Sequence, residues 1–254
     1  MQTVLVTGAT RGVGRGVAIS LAGAGLRVFA TGRTIGEAVF PDAVIRIPCD
    51  HTNAEDNDRL FQRITDLDVL VNSAWGGYER MVEDGKFTWS LPFWEQPEHR
   101  WHSMMDAGLR AAFSCSARAA RLMVPKRQGL IVNISFWAAQ KYVGNTIYGI
   151  SKAATDKMTA DMAHELREYG ITVVSLYPGL VRTESVLAAA RAGWLDLSNS
   201  ESPEYIGRVI HALASDPDRM SRTGKVLVAA ELGAEYGLSD IDGRHPKPIT
   251  LDEV

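Results

Sequence analysis

Short apolar runs alternate with helix-like segments along most of the chain, and this alternation limits the fold more than any other feature. Seven runs have the length and composition of buried strands, at residues 3–6, 27–31, 44–47, 68–71, 130–134, 172–176 and 226–229. Amphipathic patterns between them predict helices over 12–24, 54–65, 98–124, 146–168 and 203–214. Repeated βα units predict an α/β fold: one doubly wound Rossmann domain, with a seven-stranded parallel sheet and helices on both faces.

Two segments without a clear period interrupt the alternation. Residues 75–97 are rich in aromatic side chains, and residues 180–202 contain an alanine-rich patch. The chain has 254 residues, 46% of them hydrophobic, which suits one large domain spanning 1–254. We therefore interpret both segments as insertions on the substrate side of that single domain.

A glycine-rich turn joins the first predicted strand to the first predicted helix. It reads T-G-A-T-R-G-V-G over residues 7–14, with glycines at Gly8, Gly12 and Gly14. Such a turn gives the backbone conformational freedom, lets it approach a pyrophosphate closely, and offers free N–H groups at a helix N-terminus. A purely structural turn is the alternative, but the order of strand, glycines and helix favours a dinucleotide site.

The end of the second strand indicates which dinucleotide is bound. It reads Thr31-Gly32-Arg33 and has no carboxylate to accept from ribose hydroxyls. Arg33 could pair with a 2′-phosphate, and Arg11 in the glycine turn adds a second cation. Each could instead be a solvated surface residue, but together they favour NADP(H), with NAD(H) possible.

A second motif lies between residues 131 and 152. Tyr148 and Lys152 are four positions apart, so on a helix they share one face. A lysine ammonium beside a phenol is expected to lower its pKa and to make it an acid or base near neutral pH. Ser135 follows an apolar strand, at the sheet edge where parallel sheets bind ligands. Because a Tyr-x3-Lys pair also occurs by chance on surface helices, this motif depends on the others.

With these motifs in order, the chain resembles the short-chain dehydrogenase/reductase family, in its class of about 250 residues. The resemblance implies that Ser135, Tyr148 and Lys152 are catalytic, and the thirteen-residue gap from Ser135 to Tyr148 is the usual one. It also implies that Asp50 holds the adenine amino group and that Thr183 lies near the nicotinamide carboxamide. The positions implied to bind the cofactor are Gly8, Thr10, Arg11, Gly12, Val13, Gly14, Arg33, Asp50, Asn72, Ala74, Tyr148, Lys152, Pro178, Gly179, Val181 and Thr183.

Within that family the chain is most similar to the dehydrogenase/reductase member 1-like branch. The likeness lies in residues 108–110 (GLR), 123–125 (MVP) and 230–237 (AELGAEYG). Family members usually associate through their two long helices, so the resemblance implies a homodimer or homotetramer.

Two departures from the family pattern affect the predicted site. The family has Asn-Asn-Ala-Gly after the fourth strand, where this chain has Asn-Ser-Ala and then Trp75. The family also has an asparagine that holds a water connecting the lysine to solvent, and that position is Gly108 here. A displaced water or Asp106 could substitute for it.

The resemblance implies an NADPH-dependent carbonyl reductase or alcohol dehydrogenase in which Tyr148 is the acid/base. Trp75, Trp137 and Trp194 are candidate pocket residues, which suggests a hydrophobic ketone, aldehyde or alcohol as substrate. The alternative is a catalytically weak NADP(H)-binding regulator or scaffold of the same fold. An enoyl reductase is less favoured, because that relative spaces its tyrosine and lysine further apart.

Charge and composition exclude several other classes. A net charge of −3 with intermixed acids and bases gives no indication of a nucleic-acid partner. No apolar stretch reaches the length of about 18 residues that suggests a membrane helix, and the first residues do not resemble a secretory signal. Cys49 and Cys115 have no ligand spacing, so we expect free thiols and a cytoplasmic location. The six histidines lack ligand spacing too, so no metal site is predicted.

Overall fold

A seven-stranded parallel sheet forms the centre of the molecule, as predicted. The computed structural model describes residues 1–254. Its strands are β1 Thr3–Thr7, β2 Arg27–Gly32, β3 Val44–Pro48, β4 Val69–Asn72, β5 Val82–Glu83, β6 Lys86–Phe87, β7 Gly129–Ile134, β8 Ile171–Tyr177, β9 Leu180–Val181, β10 Ser200–Glu201 and β11 Val226–Val228. The central sheet has the order β11-β8-β7-β4-β1-β2-β3.

Helices cover both faces of this sheet. Their bounds are α1 Gly12–Gly23, α2 Ala54–Arg63, α3 Glu98–Trp101, α4 Ala111–Met123, α5 Thr146–Leu166, α6 Glu184–Arg191, α7 Pro203–Ser215 and α8 Ala229–Glu235. None of them is long and apolar enough to cross a membrane.

The strands are apolar on both sides because both faces of the sheet are buried. On one face α1 and α7 pack against the sheet through side chains such as Val17, Leu21 and Ile206. On the other face α2, α4 and α5 contribute side chains that include Leu60 and Met123. A continuous apolar run is the pattern expected of a parallel strand covered on both sides.

The predicted helix over 98–124 is instead divided into three parts. The turn of α3 leads into a π-helical segment, His102–Arg110, and α4 follows directly. A π-helix bonds i to i+5 and has wider turns, and such segments often mark functional sites. Periodicity alone could not distinguish this segment from an α-helix.

The two irregular segments contain short elements that the sequence pattern did not predict. In 75–97, β5 and β6 form an antiparallel hairpin. In 180–202, the alanine-rich patch is helix α6, and Thr183 caps it by accepting a hydrogen bond from the amide of Val186. Helix α8, which the sequence pattern did not predict, follows β11 directly.

The order of the strands places a crevice at the carboxyl ends of β1 and β4. The chain runs outward from β1 to β3 and then returns to the other side of β1, where Thr7 pairs with Asn72. Ligands of open α/β sheets bind at such a switch point. The glycine turn, Trp75, Ser135 and Pro178 all follow strands that end there.

Candidate active site

The first turn of α5 holds Tyr148. Asn145 is the N-cap of this helix, and its side-chain oxygen accepts a hydrogen bond from the amide of Tyr148 at 3.0 Å. The side-chain nitrogen of Asn145 donates a hydrogen bond to the Trp89 carbonyl at 2.8 Å. One buried asparagine thus fixes both the helix start and the aromatic segment beside it.

Aromatic side chains enclose the Tyr148 ring, which is only 3% exposed. The Tyr78 hydroxyl donates to the Tyr148 hydroxyl at 3.1 Å. The rings of Trp75 and Trp89 both lie 5.4 Å from that of Tyr148, and Phe136 stacks at 6.3 Å between centroids. The reactive oxygen of the predicted site therefore lies in an apolar aromatic pocket.

Burial raises the pKa of Tyr148 well above its usual value, and the neighbouring Tyr78 adds to the effect. This reverses the sequence-based expectation that Lys152 lowers it. The reason is that desolvation disfavours the phenolate, and the ammonium nitrogen is 5.9 Å from the phenol ring. The phenol is consequently protonated at neutral pH.

Lys152 lies one turn further along α5, on the same face as predicted. Its Nζ donates to the Ile134 carbonyl at 3.2 Å and lies 4.9 Å from the centre of the Trp75 indole. Burial lowers the pKa of this ammonium to about 8, although Asp156 opposes the shift. Its charge therefore titrates close to the physiological range.

Ser135 is buried at the end of β7, next to the start of α5. Its amide donates to the Leu176 carbonyl at 2.9 Å, and its hydroxyl donates to the Lys152 carbonyl at 3.4 Å. The fold thus brings all three predicted catalytic residues to one place, with the serine side chain directed to the helix backbone.

The glycine turn packs tightly against the end of β4. Gly8 has φ +64°, and a Cβ there would lie 2.5 Å from the Cα of Ala74. The hydroxyl of Thr7 accepts hydrogen bonds from the amides of Ser73 and Ala74 at 3.1 and 3.2 Å. A Cβ on Gly14 would meet the Gly8 carbonyl oxygen at 2.5 Å. These contacts explain why two of the glycines are required by the fold itself.

Gly12 presents its amide to the crevice at the N-terminus of α1. It has φ +57°, and a Cβ there would come within 3.4 Å of the Thr183 side chain. The amide donates to the Glu184 carboxylate at 3.0 Å. A helix N-terminus attracts anions, so this carboxylate lies where a phosphate oxygen would be favoured.

Arg11 and Arg33, the predicted 2′-phosphate ligands, converge on one carboxylate. Arg11 pairs with Glu79, and the Arg33 guanidinium lies 3.8 Å from the other oxygen of the same group. All three side chains are at least partly exposed. Two cations that share one anion create a site suited to a doubly charged group.

Asp50 and Asn72 are bonded to the protein in different ways. Asp50 accepts from the amide and the hydroxyl of Thr52 at 3.0 and 2.7 Å. Burial opposes its ionisation, but these bonds and the charge of Arg33 outweigh it and lower the pKa. Asn72 donates to Asn133 at 2.8 Å and to Ser116, so its amide braces the sheet against α4.

The segment after β8, residues 178–183, is called the clamp, and residues of β10 hold it by hydrogen bonds. Glu201 accepts from the Gly179 amide at 2.9 Å, and burial raises the pKa of this carboxyl to about 7. Arg182 donates to the Ser200 carbonyl at 2.7 Å. The remaining positions implied to bind cofactor follow β1, at Thr10 and Val13, or follow β8, at Pro178, Val181 and Thr183.

The three candidate pocket tryptophans lie in different surroundings. Trp75 contacts the Tyr148 and Lys152 side chains. Trp137 packs edge-on against Tyr177 at 5.1 Å, and Trp194 is exposed just beyond α6. Only the first is placed directly beside the candidate catalytic group.

Three residues of the site carry no motif and were missed. Tyr78 and Glu79 lie in the aromatic segment 75–97, and Glu184 follows Thr183 in the clamp. A tyrosine and an acid next to a Gly-Gly pair were the only local signal. Their roles depend on contacts across the crevice.

Known proteins resemble this chain over most of its length. A family model described as short chain dehydrogenase matches residues 2–192. The chain is 39% identical to dehydrogenase/reductase SDR family member 1 of mouse over 97% of this chain and 85% of that protein. The human protein of the same name is also 39% identical, over 96% of this chain and 84% of its own length. A Synechocystis 3-oxoacyl-[acyl-carrier-protein] reductase is 29% identical over 88% of this chain and 93% of its own.

Solved structures share the fold. One described as a short chain dehydrogenase/reductase family protein superposes with a TM-score of 0.75 at 29% identity, covering 89% of this chain and 94% of the other. ElxO with NADP bound gives 0.74 at 23% identity, covering 90% and 96%, which establishes a common fold.

Proposed function

Because the chain belongs to the short-chain dehydrogenase/reductase family of oxidoreductases, we propose that it is an NADPH-dependent carbonyl reductase. It would transfer hydride between NADP(H) and a hydrophobic ketone, aldehyde or alcohol. The observation that carries this proposal is the Tyr148 hydroxyl, a protonated phenol in an aromatic pocket with Lys152 one turn away.

The residues around the crevice suit NADP(H). Gly12 offers its amide at a helix N-terminus, where it donates a hydrogen bond to the Glu184 carboxylate. Arg11 and Arg33 supply two cations for a 2′-phosphate, and no acid stands at the end of β2. Asp50 and Thr183 would hold the adenine and the nicotinamide carboxamide. When bound, the nicotinamide supplies the hydride.

Tyr148 acts as the general acid in this proposal. The phenol carries its proton at neutral pH, and this proton would pass to a carbonyl oxygen as that oxygen gains charge. Ser135 would hydrogen-bond the same oxygen, after its hydroxyl turns from the Lys152 carbonyl. The ammonium of Lys152 stabilises the phenolate that remains.

The pocket favours an apolar substrate. Aromatic rings of Trp75, Trp89 and Phe136 surround Tyr148, and Tyr78 adds a hydroxyl. Such a lining suits steroid-like, quinone or aryl-ketone skeletons rather than sugars or charged acids. Trp137 and Trp194 are proposed to contact the more distant part of the substrate.

The first prediction tests this proposal directly. The protein is expected to oxidise NADPH with at least one member of a panel of hydrophobic carbonyls. The Tyr148→Phe variant should lose about 10²- to 10⁴-fold in turnover, since it lacks the proton donor. Its affinity for NADPH, measured by fluorescence titration, should stay within about twofold, since the phenol ring remains. Near wild-type turnover in this variant would exclude Tyr148 as the acid.

The closed contact between Tyr78 and Tyr148 favours one second candidate, a cofactor-binding regulator. NADPH binding without turnover on the whole panel, in both the wild type and Tyr78→Phe, would support that function and contradict the reductase.

A further inference from the structure

The two departures from the family sequence meet in space. The Trp75 indole lies against Gly108, and a Cβ at that glycine would be 2.6 Å from Cδ1 and 3.4 Å from Nε1 of the indole. The far edge of the same ring leaves no room for a side chain at Gly77 either. An indole at 75 therefore requires a residue without a side chain at 108.

The loop carrying Trp75 docks on the π-helical segment. The Gly76 amide donates to the Ser103 carbonyl at 3.2 Å. This bond joins the end of β4 to the turn that precedes Gly108. The indole is held between these two backbones and is not a surface ring that could move away.

The Trp75 indole also contacts the lysine. Nζ of Lys152 lies 4.9 Å from the ring centre, within the range of a cation–π contact. Its hydrogen bond to the protein goes to the Ile134 carbonyl. Nε1 of the indole is buried without a partner, so the ring face and not its polar atom makes the useful contact.

We propose that Trp75 is a positioning residue for Lys152. Its indole fills the space that the family's asparagine side chain would occupy at position 108. It holds the Lys152 ammonium beside Tyr148 and keeps water away from it. The inference rests on the proposed reductase function and deepens it, because it replaces a hydrated lysine with one held on an aromatic face.

The other candidate for this role is engaged elsewhere. The Asp106 carboxylate receives a hydrogen bond from His102 at 2.6 Å, and both side chains are partly exposed. It thus lies on the outer side of the π-helical segment. Nothing in its contacts links it to Lys152.

The titratable groups around Lys152 come from three elements. Tyr148 and Asp156 lie on α5 itself, Tyr78 lies on the loop after β4, and Tyr177 lies on β8. Asp156 is hydrogen-bonded by the Tyr177 hydroxyl. Of these groups only Asp156 favours the charged lysine. Burial outweighs it, and the pKa of Lys152 is therefore lowered.

The second prediction is a pH profile. Because the pKa of Lys152 lies near 8, the ammonium is present below that pH and is lost above it. The value of kcat/KM for reduction should therefore decline with a midpoint near that pH.

Two variants of Trp75 should move this midpoint in opposite directions. Trp75→Gly admits water to the ammonium and should shift it upward by about one pH unit. Trp75→Leu still excludes water but has no aromatic face, and should shift it downward. Trp101→Leu, at an exposed ring on α3, is the control for a change of tryptophan alone. Profiles that coincide with the wild type in both Trp75 variants would overturn the proposal.

Exchanging the residues at positions 75 and 108 tests whether the indole and a side chain at 108 exclude each other. Gly108→Asn alone should lose most of the activity, since the new side chain collides with the indole. Combined with Trp75→Gly it should regain activity, with the midpoint shifted upward as in Trp75→Gly. A double variant with no more activity than Gly108→Asn alone, although folded by circular dichroism, would contradict the exchange.

A measurement independent of turnover separates this inference from the proposed function. NMR titration of protein with ¹³C-labelled lysine follows the Lys152 pKa directly, with Lys152→Arg used for assignment. If no carbonyl is reduced, the reductase proposal fails, while shifts of opposite sign in Trp75→Gly and Trp75→Leu still support the role of Trp75. Unchanged titration in both variants refutes that role even in an active enzyme.

Discussion

Glu79 occupies a decisive position among the individual residues. Its carboxylate lies between Arg11 and Arg33, the two cations proposed to select the 2′-phosphate. A bound phosphate group must therefore compete with a side chain of the protein. Since the three groups are exposed, the competing ion pairs are weak, at about 0.2–1 kcal/mol each.

The third prediction follows from this competition. Glu79→Gln should tighten NADPH binding about two- to fivefold and leave NADH binding unchanged, because the amide no longer neutralises the arginines. Arg33→Ala should weaken NADPH binding selectively, which serves as the opposite control. Equal changes for the two cofactors in titration experiments would exclude a phosphate site between these residues.

For individual residues, the sequence predicted where the side chains lie better than it predicted what surrounds them. Tyr148 and Lys152 lie on one helical face because their spacing requires it. The raised pKa of Tyr148 was not predictable, since it depends on burial by rings that come from the loops after β4 and β7. The contact of Trp75 with Gly108 was equally hidden, although both residues were recognised as unusual.

Among the elements, α5 shows how a cap can also be part of a site. Asn145 accepts from the Tyr148 amide and donates to the Trp89 carbonyl. Its loss leaves two buried polar groups unpaired, at a cost of about 1–3 kcal/mol each. The start of the helix and the aromatic wall of the pocket would loosen together.

The fourth prediction compares two helix caps. Asn145→Ala should lower both thermal stability and kcat, because Tyr148 is in the turn that the cap orders. Asn53→Ala removes the exposed cap of α2, whose oxygen accepts from the Glu55 amide at 2.8 Å. This control should cost about 1 kcal/mol of stability and leave kcat unchanged. A normal kcat in Asn145→Ala would show that the cap serves stability alone.

Strands were easier to predict than the elements near the site. All seven strands of the central sheet begin and end within two residues of their predicted bounds, because continuous apolar runs mark them. Helix α6 was missed, since alanines give little periodic signal and its cap, Thr183, resembled a loop residue. The π-helical segment depends on the packing of Ser103 and Gly108 against the loop after β4.

For the molecule as a whole, the C-terminal tail closes the structure beneath the clamp. Asp240 is fully buried and accepts from Arg182 at 2.8 Å and from the Ser202 amide at 2.8 Å. The same arginine reaches the more exposed Asp242 at 3.1 Å. A buried charge pair of this kind is costly to break from one side.

The fifth prediction uses this pair. Asp240→Ala should destabilise the protein by about 3–5 kcal/mol, since it leaves the Arg182 charge buried without its main partner. Asp242→Ala should destabilise the protein much less, because that carboxylate is exposed to solvent. Urea unfolding of both variants measures the difference. Equal midpoints would mean that the tail is not anchored by Asp240.

The global architecture was accessible from the sequence because it follows from local patterns. The order of strands and helices and the position of the glycine turn fix a doubly wound sheet. The path of the tail was not accessible, since a single aspartate in a polar segment carries no signal of burial. Its contact with Arg182 joins residues far apart in the chain.

The fit between Trp75 and Gly108 also limits how such a site can change over time. Of four combinations, the native pair fits, and glycine at 75 with asparagine at 108 is the pair that the family pattern implies. Two glycines leave a void, whereas tryptophan with asparagine collides. Among these four combinations, the route by single substitutions that avoids the collision goes through the glycine pair. The loss of the asparagine thus has to precede the gain of the tryptophan, and the ancestor at that step would carry a lysine exposed to water.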